Sequence, residues 1–329
     1  MTRRQTSSRL QRFALRPLSL AVWLAVDANL VWALPTDPSV VAGQVSIQQP
    51  SVGSMVVNQG SDKAIINWRG FSIDVNETVR FVQPTSQSAI LNRVTGFDPS
   101  RILGQMQSNG RVFLVNPNGI VFGETARVDV GSLVASTLNL SDQDFMAGRY
   151  LFAADVSLGD DRQGRGPLAG KVINEGRIRA TNGDVVLLGR EVVNSGQIIA
   201  EQGRVGLAAA SKLLVDVEGD GLLFFEMEGK DANARLDQLG EVKAVGGSVE
   251  LMASARAKFA DTVLNMSGVV QSRGLGKQGG RIVIDGGGSG LTKVSGTLDV
   301  AGLNEGQTGG SVAVLGDRVA LMNGARIDA

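Results

Sequence analysis

The sequence predicts an all-β chain: a right-handed, single-stranded parallel β-helix (solenoid) with an N-terminal cap and an extra-helical hairpin. Three observations carry that expectation. The first is repetition. Asn174-Glu175-Gly176-Arg177-Ile178-Arg179-Ala180 returns twenty residues later as Asn194-Ser195-Gly196-Gln197-Ile198-Ile199-Ala200, and Gly268, Gly296 and Gly324 open apolar runs at a constant spacing of 28. Periods of that size, with two or three short strands per unit, mark stacked coils. The second is glycine, 43 of 329 residues, about twice its ordinary share. It is set between β-branched runs that a helix would not tolerate. The third is the shortness of those runs. Each leaves its backbone edge open and its inner row bare, and only a further coil ~4.8 Å along the axis can pair the one and cover the other.

Composition narrows the function. The chain carries 32 Lys+Arg against 32 Asp+Glu, so no net field favours nucleic acid or an anionic membrane. It has no cysteine and no histidine, which removes disulfides, thiol nucleophiles, Ser-His-Asp triads and the common zinc ligand sets. No cofactor, metal site or catalytic residue is expected. Any enzyme would have to work with carboxylates, Lys, Ser or Tyr150, the single tyrosine.

Residues 1–33 read as an export signal. Arg3, Arg4, Arg9, Arg12 and Arg16 make a basic start, and Pro17 to Val26 is an apolar stretch too short to span a bilayer. Cleavage is expected after Ala33, in Val31-Trp32-Ala33, or at Val26-Asp27-Ala28. An exported chain without disulfides fits one that must stay unfolded through a second translocation step. From Pro35 to Val82, short apolar runs between turn signals at Gly53, Asn58 to Asp62 and Gly70 predict a series of strands. A short helix is expected over 86–94, from the spacing of Ala89, Ile90 and Val94, and a turn or helix from Pro99. Arg111 to Gly123 then reads as a strand, a tight turn at Asn116-Pro117-Asn118-Gly119, and a second strand. Val112 to Val115 and Ile120 to Phe122 are apolar at consecutive positions, so the sequence predicts a hairpin covered on both faces. Arg127 to Val130 and Leu133 to Leu140 give two more strands. After a weakly patterned stretch at 141–170, the repeats begin at Lys171, with Asn before Gly suited to left-handed bends and to a side-chain ladder. Ser211 to Leu239 breaks the rhythm. Its apolar runs, Leu213 to Val217 and Leu222 to Met227, predict an extra hairpin and loop projecting from the solenoid wall. Ala325 to Ala329 opens a coil, from which further coils downstream are expected.

These residues carry a resemblance. Arg111 to Gly123, with Asn116-Pro117-Asn118-Gly119-Ile120, resembles the hallmark of the secretion domain of two-partner secretion exoproteins, the filamentous-haemagglutinin-like and high-molecular-weight-adhesin-like proteins. Phe81-Val82-Gln83-Pro84, Leu91-Asn92-Arg93-Val94 and Gly131 to Asn139 support it. Gln83-Pro84-Thr85 stands where haemagglutinins carry an Asn-Pro-Asn-Leu motif, as in the adhesin-like branch. The resemblance implies a signal peptide at 1–33 and a secretion domain at 34–270 with an extra-helical segment at about 211–239. The first coils of a downstream repetitive β-helix follow at 271–329. It implies a partner, a cognate outer-membrane β-barrel transporter whose periplasmic domains recognise the chain. Asn116, Pro117, Asn118, Gly119 and Ile120 would be the secretion motif, and Gln83, Pro84, Leu91, Asn92 and Arg93 its support. It also implies passage through the periplasm and across the outer membrane, folding outside, and a secreted or cell-surface adhesin that meets a host receptor through a downstream region. The residues themselves leave the corner open to two roles, a transporter signal or a structural turn that nucleates the solenoid.

Other motifs fare less well. Asp216-Val217-Glu218-Gly219-Asp220-Gly221 has the outline of a calcium loop, but its third position is Glu, its twelfth is Met227 and its flanks are strands. Gly274-Leu275-Gly276-Lys277-Gln278-Gly279 fits a dinucleotide spacing yet precedes a strand, without the helix terminus that binds the anion. Parallel β-helices also host polysaccharide lyases and hydrolases, whose chemistry needs clustered carboxylates. Asp160-Asp161 with Arg162 and Arg165 is the densest candidate, in a Gly-rich stretch that suits a solvated loop. A haemolysin or contact-dependent toxin is the other alternative to an adhesin.

Overall fold

The computed structural model describes residues 34–154, 169–216, 225–227, 234–256, 261–274, 279–302 and 306–329. The export signal with Ala33 lies outside the described residues, as do Asp160, Asp161, Arg162 and Arg165.

From Thr78 to Leu321 each coil contributes one short strand to each of three sheets, which with the strands before and after hold 10, 8 and 11 strands among the described residues. We name them sheet 1, containing Arg111–Val115, sheet 2, containing Ile120–Phe122, and sheet 3, containing Arg127–Val130. From Lys63–Trp68 onward the coil strands pair in parallel with the coil before and the coil after. The register follows the sequence repeat: Asn174 stands beside Asn194, Ile178 beside Ile198 and Ala180 beside Ala200. Ile178 and Ile198 are fully buried in the tube, as a stacked inner row requires. The spacing of 28 holds between Val269 and Thr297 but slips by one at the last coil, where Thr297 pairs with Arg326. The extra residue is taken up in the turn closed by Ala325 N–H on Met322 O, where Gly324 has a φ of 97°.

The N-terminal cap is antiparallel. Ser39–Ala42 runs against Lys63–Trp68, and Val45–Ser51 against Ser54–Gln59. Reversing direction ends the parallel stack, and Pro50 in the outermost strand blunts its free edge. Beneath the cap the first coils are filled by Trp68, Phe71 and Phe81, with ring centroids 5.7 Å and 6.5 Å apart. Later coils are filled mainly by Val, Ile, Leu and Ala.

A four-stranded antiparallel sheet covers the outer side of sheet 1. Its strands are Asn139–Leu140, Tyr150–Ala153, Lys212–Val215 and Phe225–Met227. Ile65, Leu91, Phe113, Val134, Val186 and Leu188 point out of the tube and are buried against Phe145, Tyr150, Phe152 and Leu213. This second core explains why the strands of sheet 1 are apolar at consecutive positions. One row faces the tube and the other faces the cover.

Several expectations change accordingly. Arg111–Val115 and Ile120–Phe122 do not form a hairpin: they belong to different sheets, each paired to neighbouring coils. The turn between them is a corner of one coil. The helix expected over 86–94 is the strand Ala89–Val94, because both of its faces are buried and helical spacing has no meaning there. The turn or helix expected from Pro99 leads into the strand Ser100–Ile102. The hairpin in the interrupting segment exists, with Leu213 opposite Met227 and Val215 opposite Phe225. It lies on the wall as half of the cover, and the weakly patterned region before the repeats supplies the other half. Arg235–Gln238, expected as loop, is a coil strand of sheet 2.

Candidate functional site

The corner from sheet 1 to sheet 2 is built by Asn116, Pro117, Asn118 and Gly119. Asn116 is 0% exposed, and its side chain is fully engaged. Nδ2 donates to Asp98 O and to Ser100 Oγ, both at 3.0 Å, while Oδ1 accepts from Asn118 N–H at 3.0 Å and Asn118 Nδ2 at 3.2 Å. Asn118 Nδ2 also donates to Gly96 O at 2.8 Å. Gly119 closes the turn with its N–H on Asn116 O at 3.1 Å, and its φ of 116° lies where a side chain would be strained. The corner is also tied to its neighbours through the main chain. Ser100 N–H donates to Gly119 O, Asn116 N–H to Ser136 O and Gly170 N–H to Pro117 O. Ile120 enters the tube at 0% exposure. Two carboxamides suit this place, because Asn116 and Asn118 each donate to a carbonyl of the coil below and Asn116 also supplies the acceptor within its own turn.

The supporting residues sit elsewhere on the same coils. Gln83, buried at the corner from sheet 3 to sheet 1, donates to Gln59 Oε1 at 3.1 Å and Ser88 O at 2.9 Å. It accepts from Ser108 Oγ at 2.5 Å, and its main chain exchanges two bonds with the Asn109 side chain. Pro84 beside it is exposed. Leu91, Asn92 and Arg93 alternate across sheet 1. Leu91 packs under the cover, while Asn92 turns into the tube, accepting from Trp68 Nε1 at 3.0 Å and donating to Phe113 O at 3.2 Å. Arg93 reaches the cover: Nη2 lies 2.6 Å from Leu140 O and 2.6 Å from Asp142 Oδ1. The motif and its support are thus opposite ends and opposite faces of adjacent rungs. They do not converge on one surface.

Lys63 completes the clamp on the cover. Its Nζ donates to Phe145 O and Met146 O, at the C-terminal end of the short helix Asp142–Met146, while Arg93 holds Asp142 at the other end. Ser141 caps that helix, and its hydroxyl, with Arg149, holds the Asp144 carboxyl below its ordinary pKa. Phe113, Phe145 and Tyr150 meet beneath it with centroids 5.0 to 6.3 Å apart.

Sequence reasoning missed Gln59, Ser108, Asn109 and Lys63. A signal for the first two existed, since Met55, Val57 and Gln59 alternate inward, as do Val79, Phe81 and Gln83, and Met106 and Ser108. A polar residue at an inward position of a period-2 run must find a buried partner. The expected ladder obeys the same rule: Asn174 Nδ2 donates to Asn194 Oδ1 at 2.7 Å, and Asn194 Nδ2 to Gln238 Oε1 at 2.8 Å. Neither Asn has a left-handed φ, so the ladder forms without the expected bend. Among the described residues no group of three His, Cys, Asp or Glu is arranged to hold a metal ion. Of the calcium-loop outline only Asp216 and Met227 are described.

A capped parallel β-helix with one covered sheet and sealed polar corners defines a solenoid domain of stacked coils. The chain belongs to the TPS (two-partner secretion) secretion domain family, whose model matches residues 33–321. Its fold matches the crystal structure of the HMW1 secretion domain from Haemophilus influenzae, with a TM-score of 0.77 and 30% identity over 89% of this chain and 73% of that one. The filamentous hemagglutinin secretion domain shares the fold alone, with a TM-score of 0.50 and 17% identity over 89% and 97% of the two chains. Two heme/hemopexin-binding proteins of Haemophilus influenzae are similar in sequence. One is 31% identical over 68% of this chain and the other 36% identical over 36% of it. The aligned regions span only 24% and 13% of those proteins. Domains of this family are non-enzymatic parts of large exoproteins that cross the outer membrane, and the family implies a cognate outer-membrane transporter.

Proposed function

We propose that residues 34–270 are read by the periplasmic domains of a cognate β-barrel transporter while still unfolded, and that the same residues then build the first coils outside the cell. The observation that carries this reading is the enclosure of Asn116, which is 0% exposed with both ends of its amide bonded. A folded corner offers a partner little of Asn116, Asn118, Gly119 or Ile120. An unfolded chain offers the same residues within an apolar strand that can add to an exposed sheet edge. Gln83, Leu91 and Asn92 are likewise enclosed once folded and Arg93 is bonded to the cover, leaving Pro84 open to solvent.

In this reading the signal ending at Ala33 delivers the chain to the periplasm, and coil-by-coil folding outside, at ~25 cal/mol per Å² of apolar surface buried, biases exit. Residues 271–329 are the first repeats of a fibre. The strand Val269–Arg273 crosses that boundary, so the division is one of role and not of folding. The product is a secreted or surface adhesin, without enzymatic activity, whose host receptor is met by a region beyond these residues. The curated relatives' names point to haem and haemopexin. This chain has no histidine or cysteine and its one tyrosine is buried, so it does not offer His, Cys or an exposed Tyr as a haem ligand.

The test compares secretion with stability for Asn116→Ala, Asn118→Ala, Ser100→Ala and Gly240→Ala in cells carrying the transporter. Motif variants exported less well than the trend of export against stability set by Ser100→Ala and Gly240→Ala support a recognition role. All four variants on one line against stability would reduce the corner to a folding element and reject the reading.

A further inference from the structure

The outer face of sheet 3 carries charges in register, and most of them are answered. Arg179 is bonded to Glu201 at 2.8 Å, Lys243 to Glu241, Arg273 to Asp299 and Arg326 to Asp328. Arg127 and Arg177 are among the exceptions. They stand beside each other on adjacent rungs, both exposed, about 4.8 Å apart at the main chain. Among the described residues Arg127 meets only carbonyls of its own corner, the nearer being Ala126 O at 3.0 Å. No carboxylate among the described residues lies within ion-pair distance of either guanidinium, and the nearby acids Glu124 and Glu175 form no pair with them. Like charges placed side by side on a sheet cost stability, and nothing in the fold requires them here.

Their surroundings suit a ligand. In the same row the neighbouring rungs present Gln105 on one side and, on the other, Gln197, whose Nε2 donates to Glu241 Oε2 at 2.5 Å and whose Oε1 remains as an acceptor. In the next row Arg80, also exposed and without an acidic partner among the described residues, borders a depression of about 370 Å³ with Gln107, Asn109 and Asp129. Guanidinium groups bind sulfate and phosphate oxygens through paired N–H donors, and the amides beside them suit hydroxyl groups. The chain as a whole has no net charge, so this local excess is not part of a general basic field.

We infer that this face is a binding site for a linear glycan bearing sulfate or phosphate groups, with Arg127 and Arg177 holding one anionic group between them and Arg80 reaching a second. The glycan runs along the solenoid axis, across the rungs. Binding of the exported chain to dextran sulfate, dextran phosphate, uncharged dextran and duplex DNA tests this, by titration at several salt concentrations. One or both charged dextrans bind, and uncharged dextran does not; the tighter of the two identifies the anionic group. Arg127→Gln with Arg177→Gln weakens that binding at least tenfold and leaves the thermal midpoint unchanged or raised. Arg179→Gln, which removes an already paired charge, weakens it less than threefold. DNA binding as tight as the charged dextrans, no binding of either, or a double variant that binds like the parent overturns the assignment.

Discussion

Replacing Asn116 by Ala removes four side-chain hydrogen bonds at a position with no exposure. Each bond is worth a net ~0.5–1.5 kcal/mol, and buried groups left without partners cost ~1–3 kcal/mol more. Asp98 O and Asn118 N–H are the groups left behind. The Ser100 hydroxyl and the Asn118 amide can turn to other partners, so only the two stranded groups count in full, together ~2–6 kcal/mol at ~1–3 kcal/mol each. The expected loss is about 3–5 kcal/mol, carried by a single side chain that touches no partner. Asn116→Asp keeps the acceptor but sets a carboxylate oxygen against Asp98 O, so it is expected to be at least as damaging. Ser100→Ala, which removes only one of the four bonds, is expected to cost about 1 kcal/mol. The assay is urea unfolding of the exported chain, read by intrinsic fluorescence and by far-ultraviolet dichroism so that a loss of two-state behaviour is visible. Stability of Asn116→Ala within 1 kcal/mol of the parent would refute the reasoning, since the corner would then owe little to the bonds that seal it.

Three further outcomes follow from the same geometry. Gly240→Ala places a Cβ 2.1 Å from Gly196 O, and since the clash is with main chain it is expected to cost about 1–3 kcal/mol, seen as a lowered urea midpoint. Arg93→Met removes the bonds to Leu140 O and Asp142 while keeping most of the stem; limited proteolysis is expected to cut the cover around 139–153 first and the coils unchanged. Burial of Asp299 would raise its pKa, but the Arg273 guanidinium, Ala301 N–H and Gln271 outweigh it, and the carboxyl titrates below its ordinary value. A lowered carboxylate stabilises the fold above the ordinary value near pH 4 and loses that contribution as pH falls through the lowered one. Asp299→Asn is therefore expected to be less stable at pH 7 and to lose less stability between pH 5 and pH 2, measured by urea midpoints across that range.

Much of this architecture is legible in the sequence because a solenoid writes its contacts as a period. Ile178 and Ile198, or Asn174 and Asn194, announce their pairing by spacing alone. What escapes are contacts that break the period. Ala89, Ile90 and Val94 suggest a helix only while the cover is unknown, because two buried faces erase the alternation that identifies a strand. Tyr150–Ala153 and Lys212–Val215 pair across two intervening coils, a separation that no local pattern encodes. The Asn-Gly turn is equally ambiguous, as the same φ serves a hairpin or a corner. The recipients of the Asn116 and Asn118 amides are main-chain carbonyls of Gly96 and Asp98, which every residue possesses and no side chain advertises.

The most direct measurement locks the corner before export. Val121 and Ile173 are half-buried neighbours in register on sheet 2, beside the Asn116 corner. Adjacent parallel strands lie at about 4.8 Å, within the ~4.4–6.8 Å that a disulfide spans. The chain has no cysteine of its own, so Val121→Cys with Ile173→Cys can form only this bridge. Oxidised in the periplasm, the pair is predicted to stop secretion, and reduction to restore it to the level of the single variants. Secretion of the oxidised form at the rate of the parent would contradict the account, since a coil already closed would then have passed the outer membrane.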